Sequence, residues 1–240
     1  VFDAMGSSIR IDSLGKKTLR VLPRANDQIN EEWISDKSRF AIDGLSNQRL
    51  DKPYIKKDGK LALCEWDEAL QKISNEILSR GEEKTLALSG KFTDIESLYS
   101  VKSFLDSIGS KNYDCRYDNV QFIENQRSSY LFNSSIQEID NSDCILLVGA
   151  NPRWEASVLN SRIRKAYLNN DCKVGLIGKA IDLTYNYNHL SENISYLNEI
   201  LDNNSEFCKE IENSKKPLII IGNSAINYDL GSGVLKICSE

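Results

Sequence analysis

Residues 143–164, DCILLVGANPRWEASVLNSRIR, decide the fold. Residues 144–148 form an unbroken apolar run, bounded by Asp143 and by Gly149-Ala150-Asn151-Pro152. Such a run suits a strand buried on both faces, as in a parallel sheet. Pro152 stops it and biases Asn151 away from helix. From Trp154 a helical pattern starts. Ala156, Leu159, Ile163, Ala166 and Tyr167 recur at three- and four-residue spacings, with Arg162, Arg164 and Lys165 between them. One amphipathic helix is predicted, its cations on a solvated or interface-facing edge. KVGLI at 173–177, closed by Gly178, reads as a second strand, so the stretch is a βαβ unit. The loop after the first strand of such a unit is where sheets of this type bind ligands.

Working outward, three further apolar runs end in glycine: 85–89 at Gly90, 173–177 at Gly178 and 217–221 at Gly222. Helical patterns separate most of them: one from Trp66 with Ala69, Leu70, Ile73 and Ile77, one from Ile95 ending near Gly109, and shorter ones at 194–201 and 207–211. Asp67 and Glu68 at the start of the first suit the helix dipole. The alternation predicts an α/β architecture with a mostly parallel, Rossmann-like sheet and flanking helices. A small β-rich segment precedes it. Residues 8–12 (SIRID) and 18–22 (TLRVL) alternate apolar with polar, and Gly15 supplies the turn of an antiparallel hairpin. Residues 30–40 mix charged and aromatic side chains with no clear period and read as a packed connector with local Arg–Asp pairs. Residues 50–63 read as a linker with turns at Lys52-Pro53 and at 57–60. Residues 111–142 read as a long, active-site-like loop carrying a short helix, and 182–193 as a loop bearing Tyr185, Tyr187 and His189. The expected division is 1–50 and 51–240, and the abrupt start and end of the sequence read as cuts in a longer chain.

The composition excludes several classes. With 240 residues and a net charge of −5, there is no basic footprint for nucleic acid. No apolar run approaches the 18 or so residues a membrane span needs, so direct insertion is not expected. Six cysteines, at 64, 115, 144, 172, 208 and 238, show no short repeated spacing, which argues against a zinc or iron–sulfur framework and for a reducing compartment. Cys144 lies inside a strand pattern and reads as a core thiol. The sequons at Asn133, Asn193 and Asn203 read as chance in an Asn-rich chain.

Among the candidate chemistry, Gly149, Asn151, Pro152 and Arg153 lie in a loop that reads either as a tight strand-to-helix turn or as a phosphate cradle, through amides at a helix start and a guanidinium. It lacks the glycine density of a dinucleotide fingerprint or a P-loop. His189 is the only histidine, and no nucleophile or carboxylate pair stands in a recognisable motif around it. No catalytic set emerges from the residues themselves.

Two long motifs, VLPRANDQINEEWISDKSRFAIDGLSNQRL at 21–50 and VGANPRWEASVLNSRIRK at 148–165, together with DLTYNYNHL at 182–190, resemble the G subunits of NADH-quinone oxidoreductases. This is the family of the large iron–sulfur subunit of respiratory complex I. The resemblance implies a molybdopterin oxidoreductase-like fold, of the type of domains 1–3 in formate dehydrogenase and DMSO reductase. It also implies 2Fe-2S and 4Fe-4S clusters in the full-length protein, in a part preceding Val1, with no cofactor expected in residues 1–240. The wider family carries a cluster motif Cys-x2-Cys-x3-Cys-x27-Cys, the last Cys followed by Asp and a basic residue. Aligned on Asp36-Lys37, the motif puts Asp3, Ser7 and Ser35 at three of its ligand positions. Serine is a poor substitute for a soft thiolate. The resemblance therefore implies that residues 1–50 are the remnant of a cluster-binding segment whose ligands are lost. Residues 149–153 become a vestigial pterin-dinucleotide loop.

The reading that follows is a non-catalytic scaffold segment. Its partners would be the protein's own N-terminal cluster domain and other peripheral-arm subunits of complex I. Its place would be peripheral, on the cytoplasmic side of a bacterial inner membrane or the matrix side of a mitochondrial one. The alternative is a molybdopterin-dependent oxidoreductase domain that binds a guanine dinucleotide cofactor near residues 151–153. A third possibility is a plain nucleotide-binding module.

Overall fold

A computed structural model describes residues 2–115, 120, 121, 123, 125–227 and 230–240. Val1 and part of the expected loop at 111–142 therefore lie outside the described residues. The chain forms two compact units, one made of residues 1–47 with 118–240, the other of residues 48–117. By internal contacts the N-terminal segment groups with the last half of the chain.

The first unit is built on a four-stranded parallel sheet. In chain order it opens with β1 (Ile9–Leu14), β2 (Lys17–Pro23) and α1 (Asp36–Phe40). The second unit supplies β3 (Tyr54–Lys57), β4 (Lys60–Leu63), α2 (Trp66–Arg80), β5 (Ala87–Leu88), α3 (Ile95–Ser107) and β6 (Tyr113–Asp114). The chain then returns to the first unit with β7 (Cys144–Val148), α4 (Pro152–Glu155), α5 (Ser157–Asn170), β8 (Lys173–Ile177) and β9 (Asn188–Ser191). It ends with α6 (Tyr196–Leu201), α7 (Phe207–Asn213), β10 (Pro217–Ile221), α8 (Asn223–Ile226) and α9 (Gly231–Ser239). The sheet order is β10-β7-β8-β9, every pair parallel.

Every residue of β7 is buried, as its unbroken apolar run requires of a central strand. Its side chains alternate. Ile145 and Leu147 pack with Ile139 and with Leu159, Ile163 and Ala166 of α5; Leu146 and Val148 pack with Leu197, Phe207, Ala225, Val234 and Leu235 on the other face. Gly175 in β8 is glycine for a steric reason, since a Cβ there would stand 2.7 Å from the Phe207 ring. Asp143 fastens the start of the sheet. Its carboxylate accepts the amides of Lys215 and Lys216 at 2.8 and 3.0 Å, and its carbonyl accepts the Lys173 amide at 2.9 Å. Partial burial alone would raise its pKa, but those amides outweigh it and hold the carboxyl below the usual range.

The N-terminal hairpin pairs as expected, Leu14 opposite Lys17, with Gly15 at φ +58 in the two-residue loop. The connector after it carries α1, capped by Ser35, whose side chain accepts the Ser38 amide. Asn30 is fully buried there. Its Oδ1 accepts Ser8 N at 2.8 Å and its Nδ2 donates to the carbonyls of Arg24, Glu31 and Trp33.

Four expectations need correction. The helix predicted from Trp154 is two helices, broken at the buried, non-helical Ala156 (φ −148, ψ 71). Residues 50–63 are not a linker with isolated turns but contain the hairpin β3–β4, with Asp58 (φ 48) and Gly59 (φ 79) in its loop. The 182–193 loop contains β9, a polar edge strand. The strand at Thr85–Ser89 is only Ala87–Leu88 and pairs with β6 in the second unit, not with the four-stranded sheet.

Candidate functional site

The sheet's connections place a crevice at its carboxyl edge. From β7 the chain steps outward to β8 and β9, then β10 returns to the other side of β7. That reversal, between Val148-Gly149 and Ile221-Gly222, is where open α/β sheets bind ligands. Here the chain itself fills it. Ser224 Oγ donates to the Gly149 carbonyl, and a Cβ on Gly149 (φ +58) would meet Ala225 Cβ at 2.8 Å. A Cβ on Gly222 would lie 2.6 Å from Ala150 Cα. The Gly149 amide is spent on Ile177 O at 2.7 Å. A cleft of about 570 Å³ remains beside it, lined by Gly149, Gly178, Lys179, Glu192, Asn193 and Leu230 among others.

The loop beyond Gly149 is closed on itself. Asn151 caps α4, its side chain accepting the Trp154 amide at 3.3 Å, and Pro152 holds the first helical position. The Asn151 amide donates to the Glu155 carboxylate at 2.9 Å. Arg153 donates to the Asp182 carboxylate and, at 3.0 Å, to the Asp182 carbonyl. The Asp182 carboxyl lies below its usual range, first through the Thr184 amide and then through Arg153. The Asn151 amide and the Arg153 guanidinium are thus already paired with carboxylates, and the cleft is lined by one charge of each sign, Lys179 and Glu192. With its capping amide and one guanidinium nitrogen turned to carboxylates of its own chain, the loop fits a pyrophosphate poorly, since such a site needs converging free donors.

Around the loop, DLTYNY is a packing device. Asn160, buried in α5, donates to Leu183 O at 3.0 Å and accepts from the Tyr185 hydroxyl at 2.9 Å. Tyr187 OH bridges the amide and carbonyl of Ile181. Burial pushes the Tyr185 hydroxyl upward. His189 stands on β9, its Nε2 2.8 Å from Gly178 O, a backbone contact that joins it to no nucleophile.

Arg162 is not on a solvated edge. It is 3% exposed and donates to Ile29 O at 3.0 Å, Asp27 O at 2.6 Å and Asp140 Oδ2 at 2.7 Å. Lys165 pairs with Glu31 at 2.6 Å and Asp140 at 3.2 Å. Sequence periodicity missed this. A signal that could have found it is a cation beside the core positions Leu159 and Ile163, in a chain whose connector is rich in Asn, Asp and Glu. Cys144 is the core thiol expected, with burial pushing its pKa up to about 11.

Asp3, Ser7 and Ser35 sit in a hydroxyl network. Ser7 Oγ donates to Asp3 Oδ2 at 2.9 Å, Ser35 and Ser38 share a bond of 3.1 Å, and Phe2 N donates to Ser38 Oγ at 3.0 Å. Ser7 and Ser35 are each 3% exposed. Their hydroxyls are occupied and offer no thiolate, so these residues do not fit an iron–sulfur cluster.

Residues 49–239 match the family model described as molybdopterin oxidoreductase. The chain belongs to the molybdopterin oxidoreductase family. Residues 1–43 match a second model, the 4Fe-4S domain of NADH-ubiquinone oxidoreductase NDSU1/NuoG-like proteins. That stretch contains no cysteine here. Among curated relatives, the NADH-quinone oxidoreductase G subunit of Rickettsia bellii is 43% identical over 237 residues, covering 99% of this chain and 35% of its own length. The mitochondrial NADH-ubiquinone oxidoreductase 78 kDa subunit of Neurospora crassa is 40% identical over 234 residues, covering 95% of this chain and 31% of its own. The chain thus spans about a third of these relatives. Among solved structures, acetylene hydratase from Pelobacter acetylenicus superposes with a TM-score of 0.47 and 15% identity, over 70% of this chain and 25% of that one.

Proposed function

We propose that residues 1–240 are a scaffold segment of the large iron–sulfur subunit of an NADH:quinone oxidoreductase of the complex I type. The observation that carries this is similarity to such subunits over 237 residues, through both matched domains. Electrons from NADH would pass towards quinone through 2Fe-2S and 4Fe-4S clusters held elsewhere in the polypeptide. Residues 1–50 would be the remnant of a cluster-binding segment and residues 51–240 the pterin-type domain. The protein's own cluster domain and other peripheral-arm subunits are the partners this role requires. No helix among the described residues is long and apolar enough to cross a membrane. A peripheral place on the cytoplasmic or matrix side accords with that.

The scaffold role is supported by the closed loop: Asn151 N donates to Glu155, Arg153 Nη1 to Asp182, and Ser224 Oγ to the Gly149 carbonyl, so these groups already serve the fold. The family match keeps one rival in view, a molybdopterin-dependent enzyme. Elemental analysis of the purified full-length protein separates them. Molybdenum and tungsten far below one atom per chain, with stoichiometric iron, is the expected result. Either metal near one atom per chain would establish a live pterin site and overturn the scaffold reading.

A further inference from the structure

Tyr167, near the end of α5, and Tyr185, in the loop between β8 and β9, lie ring to ring. Their centroids are 5.8 Å apart and the planes are tilted by 31°, within the range of direct aromatic contact. Both side chains are half-buried. The pair is held by the fold. Asn160, Arg164 and Tyr167 follow one another at four- and three-residue spacings on α5 and so share one face. All three meet the same short stretch of loop. Asn160 Nδ2 donates to Leu183 O at 3.0 Å, Arg164 Nη1 donates to Thr184 O, and the Tyr185 hydroxyl donates to Asn160 Oδ1 at 2.9 Å. The helix therefore fixes Tyr185 by its hydroxyl and by the two carbonyls before it, opposite the Tyr167 ring. Two phenols held in this way meet at a far higher effective concentration than tyrosines on separate molecules.

We propose that Tyr167 and Tyr185 are an oxidative modification site, joined by a one-electron oxidant into an intramolecular dityrosine. Each phenol gives one electron to the oxidant and its hydroxyl proton to water, leaving a phenoxyl radical. The two radicals combine through a ring carbon ortho to each oxygen, forming a carbon–carbon bond. Each coupled carbon then loses its hydrogen as a proton while the oxygen takes one up, which restores both phenols. In sum, two electrons pass to two equivalents of oxidant and two protons pass to water. A thiolate beside the pair would quench the radicals. Cys172 lies in the core cluster against which Tyr185 packs, but burial pushes its thiol up to about 12, so it stays protonated and lacks the reactive thiolate form. The new bond would tie α5 to the loop whose Asp182 pairs with Arg153, turning a set of hydrogen bonds into a covalent staple.

The test illuminates the full-length protein briefly with tris(bipyridine)ruthenium(II) and persulfate, so that ruthenium(III) is the one-electron oxidant. Tryptic digestion should give residues 166–173 joined to residues 180–209, lighter than the two peptides together by two hydrogens. Fragmentation should place the bond at Tyr185. A mixture of ¹⁵N-labelled and unlabelled protein should give this product with one isotope only. Tyr167→Phe should abolish it, while Tyr187→Phe and Tyr196→Phe, which alter the other tyrosines of the second peptide, should leave it. Absence of the joined peptides, a bond at Tyr187 or Tyr196, survival in Tyr167→Phe, or mixed-isotope products would each overturn the proposal.

Discussion

Two glycines at the carboxyl edge of the sheet, at 149 and 222, let backbones approach where side chains would not fit. A methyl group on Gly222 points at the Gly149 and Ala150 backbone, 2.7 Å from Gly149 C, and neither residue can move without shifting β7. Gly222 has φ −84, so its cost is steric and not conformational. Gly222→Ala should destabilise the protein by about 1–3 kcal/mol, as overpacking does, read as a lower urea midpoint at constant slope. Gly233, inside α9, has open space around its Cβ position. Gly233→Ala should instead raise the midpoint, by up to about 1 kcal/mol, because alanine gives up less backbone entropy in a helix. Equal effects from the two substitutions would refute this account of the crossing.

At the scale of elements, Arg162 and Lys165 of α5 hold the connector at 27–31 against the sheet. Arg162→Met would leave the Asp140 carboxylate, whose Oδ1 already has no hydrogen-bond partner among the described residues, without its guanidinium. Breaking a fully buried pair costs about 3–5 kcal/mol, and less is expected here because Lys165 still reaches Asp140. Arg162→Met with Asp140→Leu should recover part of that in urea unfolding, since no half-buried carboxylate is then left short of a partner. The exposed half of the network titrates. The Lys165 hydrogen bond lowers the Glu31 pKa, and the Glu31 and Asp140 bonds raise that of Lys165. A depressed carboxyl stabilises above its unfolded value, about 4.3, and loses that contribution as pH falls through its folded value. A raised amine stabilises below about 10.4 and loses its contribution as pH rises through its folded value. The midpoint difference between wild type and Glu31→Gln should therefore be flat from about pH 5 to 9 and close in acid and in strong base. A difference that widened in acid would contradict the pairing.

For the whole molecule, the two units differ in how much they cover. In residues 48–117, Leu78, Phe92 and Ile95 are each more than 70% exposed, and only Cys64, Ala69 and Leu105 among the described apolar residues are buried. A sheet of two two-residue strands buries little by itself. Limited proteolysis should therefore cut within 48–117 well before it cuts β7 or β8, in the isolated chain. In the full-length protein the same sites should be protected if other polypeptide covers them. Early cleavage inside β7 would reverse the ranking of the two units.

Much of this arrangement could be read from the chain alone, and for identifiable reasons. β7, β8 and the α5 face follow from local apolar period, which a central strand and a packed helix cannot avoid. The hairpin at Gly15 follows from turn chemistry, and the Asp58-Gly59 hairpin carried the same signal in a stretch otherwise read as a linker. The reading of Gly149, Asn151, Pro152 and Arg153 as a loop also rested on local chemistry. What those residues bond to did not: Asp182 reaches Arg153 across 29 positions, and Asp27 reaches Arg162 across 135. β9 is polar because it lies at an edge, so it is a strand only by virtue of the partner beside it. Period and turn residues are properties of neighbours in sequence and are written there. Burial of a charge, occupancy of an amide and the side on which a sheet remains open depend on what the fold brings next to them.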